Sequence, residues 1–244
     1  MSGEQIDHQA AGDDAAAIRS ALAAVERRID AACERAGRSR EAVRLLPVTK
    51  TVPPERIAAA VAAGYREFGE NRVQEAVAKH EALAGQGIVW HMIGHLQRNK
   101  VKQALAFADC IESLDRLRLV ERVADQLAER GERRRVLMQV NTSGADSQFG
   151  VPPAEAENLA RCIAERPELE FAGLMTIGRL VEDPEDARDC FRSLRHLRDH
   201  LRDVLGLALP ELSMGMSGDL DVAVDEGATL VRVGSAIFGA RDRH

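Results

Sequence analysis

The sequence predicts an α/β fold: one (β/α)8 barrel of the TIM type with an extra N-terminal helix. Three observations predict it. Short apolar strands and helical stretches alternate eight times. Several of those strands are apolar on both faces, as parallel strands are when helices cover one side and packed side chains the other. No Pro/Gly/Ser-rich linker divides the chain. Its 244 residues suffice for one large domain, and eight units in roughly 200 residues sit at the lower end of the range for such barrels. An open doubly wound sheet is the alternative, but the GxGxxG turn that usually follows its first strand is absent.

Residues 1–13 are small and polar and read as a disordered tail, so the domain is expected to span 14–244. From Asp14 onward Ile18, Leu22, Val25 and Ile29 recur at three- and four-residue steps, which predicts a helix that Gly37 ends. Strands follow at 43–49, 67–68, 88–93, 110–112, 136–141, 169–176, 211–213 and 230–233. Helices are predicted at 54–63, 74–83, 99–106, 117–130, 154–165, 187–205 and 220–226, with a short one from Ala236. Arg133, Arg134 and Arg135 precede the fifth strand and read as a surface loop. The helix at 187–205 turns Leu194, Leu197, Leu201 and Leu205 inward and Arg192, Arg195, Arg198 and Arg202 outward. Asp189, Asp199 and Asp203 are interspersed with the arginines, so that face reads as solvated and salt-bridged. His196 and His200 have the i, i+4 spacing of metal ligands but no HExxH glutamate between them, and no metal is expected there.

Composition removes several function classes. Apolar residues make up 45% of the chain, which provides for a core. The 33 basic residues against 39 acidic ones give a net charge of −6, which argues against a nucleic-acid coat or a polybasic membrane anchor. Aromatic residues are 3% of the total, too few to build stacking platforms for bases. The four cysteines are far apart with no CxxC pair, so a reducing cytoplasm fits best. No long apolar run or signal-peptide pattern is present, and no membrane contact is expected.

In a barrel of this kind the working residues belong at the C-terminal ends of the strands. Strand one ends in Val48-Thr49-Lys50-Thr51. Alone, Lys50 reads as a strand-terminating lysine that reaches solvent. At the mouth, desolvation and neighbouring cations lower a lysine's pKa enough for a Schiff base with a carbonyl, a group it would hold opposite the phosphate loops. Ser217 follows strand seven, and Gly234-Ser235 follows strand eight and opens a short helix. Those loops and a helix N-terminus form the recurring phosphate site of these barrels. Arg232 lies two residues before Gly234 on the same strand face, where branched apolar side chains are the norm, so it needs an acceptor. Pairing with Glu211 or Asp219 is one answer. Lysine, phosphate cradle and arginine together point to pyridoxal 5′-phosphate (PLP), whose pyridine nitrogen takes an Asp or Arg partner.

At these residues the chain resembles the pyridoxal phosphate homeostasis proteins, single-domain relatives of the alanine racemase barrel (fold type III). The stretches that carry the resemblance start with Val48-Thr49-Lys50-Thr51, Phe68-Gly69-Glu70-Asn71-Arg72-Val73-Gln74-Glu75 and Trp90-His91-Met92-Ile93-Gly94-His95-Leu96-Gln97-Arg98-Asn99-Lys100. Gly173-Leu174-Met175-Thr176, Leu212-Ser213-Met214-Gly215-Met216-Ser217 and Val231-Arg232-Val233-Gly234-Ser235-Ala236-Ile237-Phe238-Gly239 follow in family order. The resemblance implies that Lys50 carries PLP and that Ser217, Gly234 and Ser235 hold its phosphate. It also implies that Arg232 faces the pyridine nitrogen, with Asn71 and Met214 nearby. One position departs from the pattern: Gln148 stands where the family commonly has a lysine.

The resemblance implies a PLP-binding homeostasis protein, a buffer or carrier that influences amino-acid pools, without efficient catalysis; its candidate partners are PLP and apo PLP-dependent enzymes, and direct delivery to them is left open by the sequence. A racemase-like PLP enzyme is the alternative. Racemases of this type resemble two-domain dimers whose second base is a tyrosine from a β-domain. Here the only tyrosine is Tyr65, before strand two and so expected at the far end of the barrel. A monomer is expected, since no second domain is present to make the racemase contact. A phosphosugar enzyme would use the same phosphate loops but leaves Lys50 and Arg232 unexplained.

Overall fold

Eight parallel strands alternate with helices in the computed structural model, which describes residues 3–179 and 181–239. Helix α1 (Gly3–Arg35) leads into β1 (Arg44–Pro47), α2 (Pro54–Ala62), β2 (Glu67–Glu70), α3 (Val73–Ala82) and β3 (Val89–Met92). Next come α4 (Val101–Ala104), β4 (Cys110–Leu114), α5 (Leu117–Ala128), β5 (Arg134–Gln139), α6 (Ala156–Ala164) and β6 (Leu169–Met175). The chain then runs through α7 (Arg188–Leu205), β7 (Glu211–Ser213), α8 (Leu220–Asp225), β8 (Leu230–Val233) and α9 (Ser235–Phe238). The expected helices 99–106 and 154–165 begin as 3-10 turns, Arg98–Lys100 and Pro153–Glu155.

The sheet runs β1-β8-β7-β6-β5-β4-β3-β2, so β1 and β8 are neighbours and the remaining seam joins β1 to β2. That seam has a single bridge, Val48 with Gly69, and the Thr49 N–H donates to Gly69 O at 2.9 Å. Arg44 and Val48 donate their N–H groups to Thr229 and Val233 on the β8 side. Alternation along a strand therefore aims residue 47 at β2, and residue 47 is a proline with no N–H to give. Pro47 explains why the closing seam is short.

Two expectations need correction. The helix predicted from Asp14 starts at Gly3, so Gly3 to Asp13 are helical rather than a tail. The reason lies in the alanines: Ala10, Ala11, Ala15, Ala16 and Ala17 have the highest helix propensity of any residue type and extend the amphipathic segment backwards. Met1, Ser2 and residues 240–244 lie outside the described residues. Arg134 and Arg135, read as loop, are the first residues of β5; Arg135 Nη2 donates to Glu211 Oε1 at 2.6 Å, so the charge is paired at the strand-start end of the barrel.

Ile18, Leu22, Val25 and Ile29 of α1 are buried, each contributing about 1.5–3 kcal/mol over exposure. Of the interspersed aspartates, Asp189 accepts from Arg192 and Asp199 from Arg198, but Arg192, Arg195 and Arg188 also donate to the buried Glu226 that follows α8. His200 contacts Glu157 at 3.1 Å.

Candidate functional site

Lys50 sits half-buried on the turn directly after β1. Its backbone is held from both sides. The Thr49 carbonyl accepts from Lys79 Nζ (2.6 Å), and the Thr51 N–H donates to Glu75 Oε2 (3.0 Å). Thr51 has φ 62°, a left-handed conformation rare for a β-branched residue. Beneath the turn, Lys79 Nζ also donates to Glu70 Oε1 (2.7 Å), which accepts from Thr49 Oγ1 (2.5 Å). Glu70 is fully buried and its Oε2 has no hydrogen-bond partner. Burial raises the Glu70 pKa, against the pull of Lys79 and Thr49.

Asn71 directly follows β2, two residues past the Gly69 carbonyl that accepts from the Thr49 N–H. A Cβ at Gly94 would come within 2.1 Å of Asn71 O, so only glycine lets the end of β3 approach so closely. Asn71 Oδ1 is buried without a partner, and a bound donor would satisfy it.

On the other side of β1, a Cβ at Gly234 would lie 3.1 Å from Val48 O. Lys50 and the Gly234-Ser235 loop are therefore on adjacent strands. This corrects the expected placement of Lys50 opposite the phosphate loops: β8 closes the barrel against β1. Ser235 Oγ donates to Ser217 Oγ at 3.3 Å, which brings the two expected phosphate hydroxyls together. The Ser217 turn is clasped from below. Arg28 of α1 donates to Ser217 O (2.5 Å) and to Asp221 Oδ2 (2.6 Å), and the Met216 N–H donates to Asp219 Oδ1 (2.6 Å). Met214 is fully buried at the end of β7 and packs in the core.

Arg232 is buried inside the barrel, as its strand position predicted. It does not pair directly with Glu211 or Asp219. Its Nη1 donates to Ser213 Oγ and its Nη2 to Thr176 O, both at 2.7 Å. Ser213 Oγ in turn donates to Glu112 Oε2 (2.5 Å), and Glu112 Oε1 faces His91 Nδ1 at 2.7 Å. His91 Nε2 lies 3.6 Å from Glu67 Oε2, and Glu67 pairs with Arg44 at 2.7 Å. Burial alone would raise the Glu112 pKa, but the His91 and Ser213 hydrogen bonds and the Arg232 charge outweigh it and hold the group below the usual carboxylate range. His91, Cys110 and Glu112 place possible ligand atoms within 4.8 Å of one another. Burial pushes the Cys110 thiol well up, as in a buried structural cysteine.

Sequence reasoning missed Ser213, Glu112, His91, Glu70, Lys79 and Arg28. Glu70, His91 and Ser213 stood in the stretches that carry the resemblance with no role assigned, and a glutamate inside the short apolar strand Cys110–Leu114 was the signal for Glu112. Tyr65 is at the strand-start end, as expected, where its hydroxyl donates to Glu26 Oε1 at 2.6 Å. A cleft of about 360 Å³ there is lined by Arg40, Arg44, Tyr65 and Glu67 among others. Where the family lysine would stand, the Gln148 carbonyl accepts from Asn141 Nδ2 (3.1 Å), and next to it Phe149 stacks on His95 at 3.7 Å.

The arrangement offers an amine, a paired-hydroxyl cradle and an inward guanidinium within one mouth. The family model described as alanine racemase, N-terminal domain, matches residues 20–242. The chain is similar to a pyridoxal phosphate homeostasis protein of Aquifex aeolicus, with 45% identity over 90% of this chain and 96% of that one. It is similar to PipY of Synechococcus elongatus PCC7942, solved with PLP bound, at 34% identity and TM-score 0.81 over 91% and 100% of the two chains. Alanine racemase from Corynebacterium glutamicum shares the fold, with TM-score 0.68 and 16% identity over 93% of this chain and 61% of that one.

Proposed function

This chain belongs to the alanine racemase N-terminal domain family, among its pyridoxal phosphate homeostasis proteins, and from that premise we propose that it binds PLP at the barrel mouth and serves as an intracellular buffer or carrier of it. One observation carries the reading: Arg232 is buried and anchored two residues before Gly234, beside the Ser217–Ser235 pair. Lys50 is the residue whose amine holds the cofactor. Ser217, Gly234 and Ser235 take its phosphate, Arg232 meets its pyridine nitrogen, and Asn71 and Met214 lie nearby. When bound, PLP supplies an electrophilic aldehyde that amines trap reversibly. The residues present suit it: Asn71 Oδ1 lacks a partner, and the cradle's close approach needs Gly234. Lys50→Ala should abolish the yellow band and the borohydride-fixed label; label on Lys100 or Lys102 instead would refute the site.

The protein is a carrier rather than an efficient catalyst in this reading. Proton transfer across an amino-acid Cα needs two bases within reach of the carbon, and Tyr65 is engaged with Glu26 at the other end of the barrel. A charged Arg232 keeps the pyridine nitrogen neutral and weakens the electron sink. The carrier acts as a cytoplasmic monomer and passes PLP to apoenzymes. Among the described residues no helix is long and apolar enough to cross a membrane. Deuterium exchange at Cα across a panel of amino acids tests this. Incorporation at about 1 s⁻¹ or faster, abolished by Lys50→Ala, would make the protein an enzyme.

A further inference from the structure

The interior of such a barrel is usually packed with branched apolar side chains. Here His91 of β3, Glu112 of β4, Ser213 of β7 and Arg232 of β8 form one buried chain through it. The polarity of that chain is fixed. Glu112 is ionised and only accepts. The single Ser213 hydrogen is therefore committed to Glu112 at 2.5 Å, and the Ser213 oxygen can only accept from Arg232 at 2.7 Å. Thr176 O takes a second arginine N–H. Ser213 stands between two opposite charges that would otherwise meet directly.

We infer that Ser213 is a positioning residue: it holds the Arg232 guanidinium at the barrel mouth, away from its counter-ion Glu112, so that a bound heteroaromatic ring meets an N–H donor and is received with its ring nitrogen unprotonated. The inference rests on the PLP reading above. It assigns Glu112 a separate role, as the charge that makes a buried guanidinium tolerable. The charged groups acting on Arg232 are Glu112 on β4 and Asp219 after β7. His91, Glu67 and Arg44 lie further along the chain.

The two roles have opposite signatures. In Ser213→Ala the freed guanidinium collapses onto Glu112 and leaves the mouth. The bound ring nitrogen, followed by ¹⁵N NMR of labelled PLP, should then titrate with a midpoint about one unit or more higher than in wild type. Ser213→Thr keeps the hydroxyl and should restore the wild-type profile. Glu112→Gln is isosteric, preserves an acceptor for Arg232 at Ser213, and removes a negative charge, so its midpoint should not rise. An unchanged nitrogen profile in Ser213→Ala, or a rise in Glu112→Gln equal to that in Ser213→Ala, overturns the inference. Failure of the wild type to take up PLP overturns the reading beneath it, and is seen before any variant is made. Should Ser213→Ala not fold, Ser213→Cys, which weakens both bonds at similar volume, must raise the midpoint in its place, and no rise there overturns the inference equally.

Discussion

Replacing Lys79 by methionine should destabilise the protein in a pH-dependent way. Lys79 Nζ makes two short bonds, to Glu70 Oε1 (2.7 Å) and Thr49 O (2.6 Å), with both side chains buried. Methionine fills similar volume but leaves Glu70 with only the Thr49 hydroxyl. Removing one partner of a buried pair costs about 3–5 kcal/mol. For a chain of this size each kcal/mol lowers Tm by about 2–4 °C, so the expected loss is about 6–20 °C. The sign with pH follows from Glu70, whose folded-state pKa is raised above 4.5 by burial. Its contribution to stability is fully present below that ordinary value and is lost as pH rises through the raised one. Without Lys79 the rise is larger, so the deficit should be small near pH 5 and largest near pH 8. Glu70→Leu added to Lys79→Met removes the stranded carboxylate and should recover most of the loss at pH 8. Thermal unfolding of the ligand-free protein by circular dichroism reads all of this. A Tm within about 2 °C of wild type at pH 8, or an equal deficit at both pH values, would refute the reasoning.

Ser217→Ala should weaken PLP binding about 10–150-fold, the worth of one charge-assisted hydrogen bond of about 1.5–3 kcal/mol, measured by spectral titration; unchanged affinity would count against the cradle. Arg28 is not among the residues assigned to the phosphate, yet Arg28→Ala unlatches the Ser217 turn from α1. With the side chain about a third exposed the effect should be about 1 kcal/mol, or about fivefold in PLP affinity. A loss equal to that of Ser217→Ala would mean that Arg28 does more than brace the loop.

The barrel was legible because its signals are local. Apolar runs such as 136–141 and 230–233 are bounded by turns, and the helix at 187–205 shows its leucine stripe without any tertiary information. Mouth residues were legible for the same reason, since strand ends locate Lys50, Asn71, Ser217 and Gly234 once the fold class is known. The polar chain through the interior was not. It needs the inter-strand register that sets His91 beside Cys110, and the barrel closure that brings Ser213 within reach of Glu112, 101 residues earlier. Nor could sequence show that Lys79, nine residues past Glu70, turns under the strand rather than out to solvent. The arginines at 134 and 135 misled because charge at a strand start resembles a loop until the partners, Glu132 for Arg134 and Glu211 for Arg135, are seen.

The clasp between α1 and the Ser217 turn joins residues 189 positions apart. At translation rates of about 5–20 residues per second, about 10–40 s separate their synthesis. Early in that interval α2 is made and becomes available to α1, but α8, α9 and the β8 neighbour of β1 do not yet exist. Part of the apolar stripe from Ile18 to Ile29 must therefore stay covered by transient contacts or a chaperone while the rest of the barrel emerges from the ribosome. The phosphate-side loops follow the seventh and eighth strands, and Arg28 can brace them only once those strands are out. A pocket whose walls are made so far apart in time cannot capture its ligand while the intervening strands are still being synthesised. Loading therefore belongs to the closed barrel and draws on whatever free pool the cell then holds.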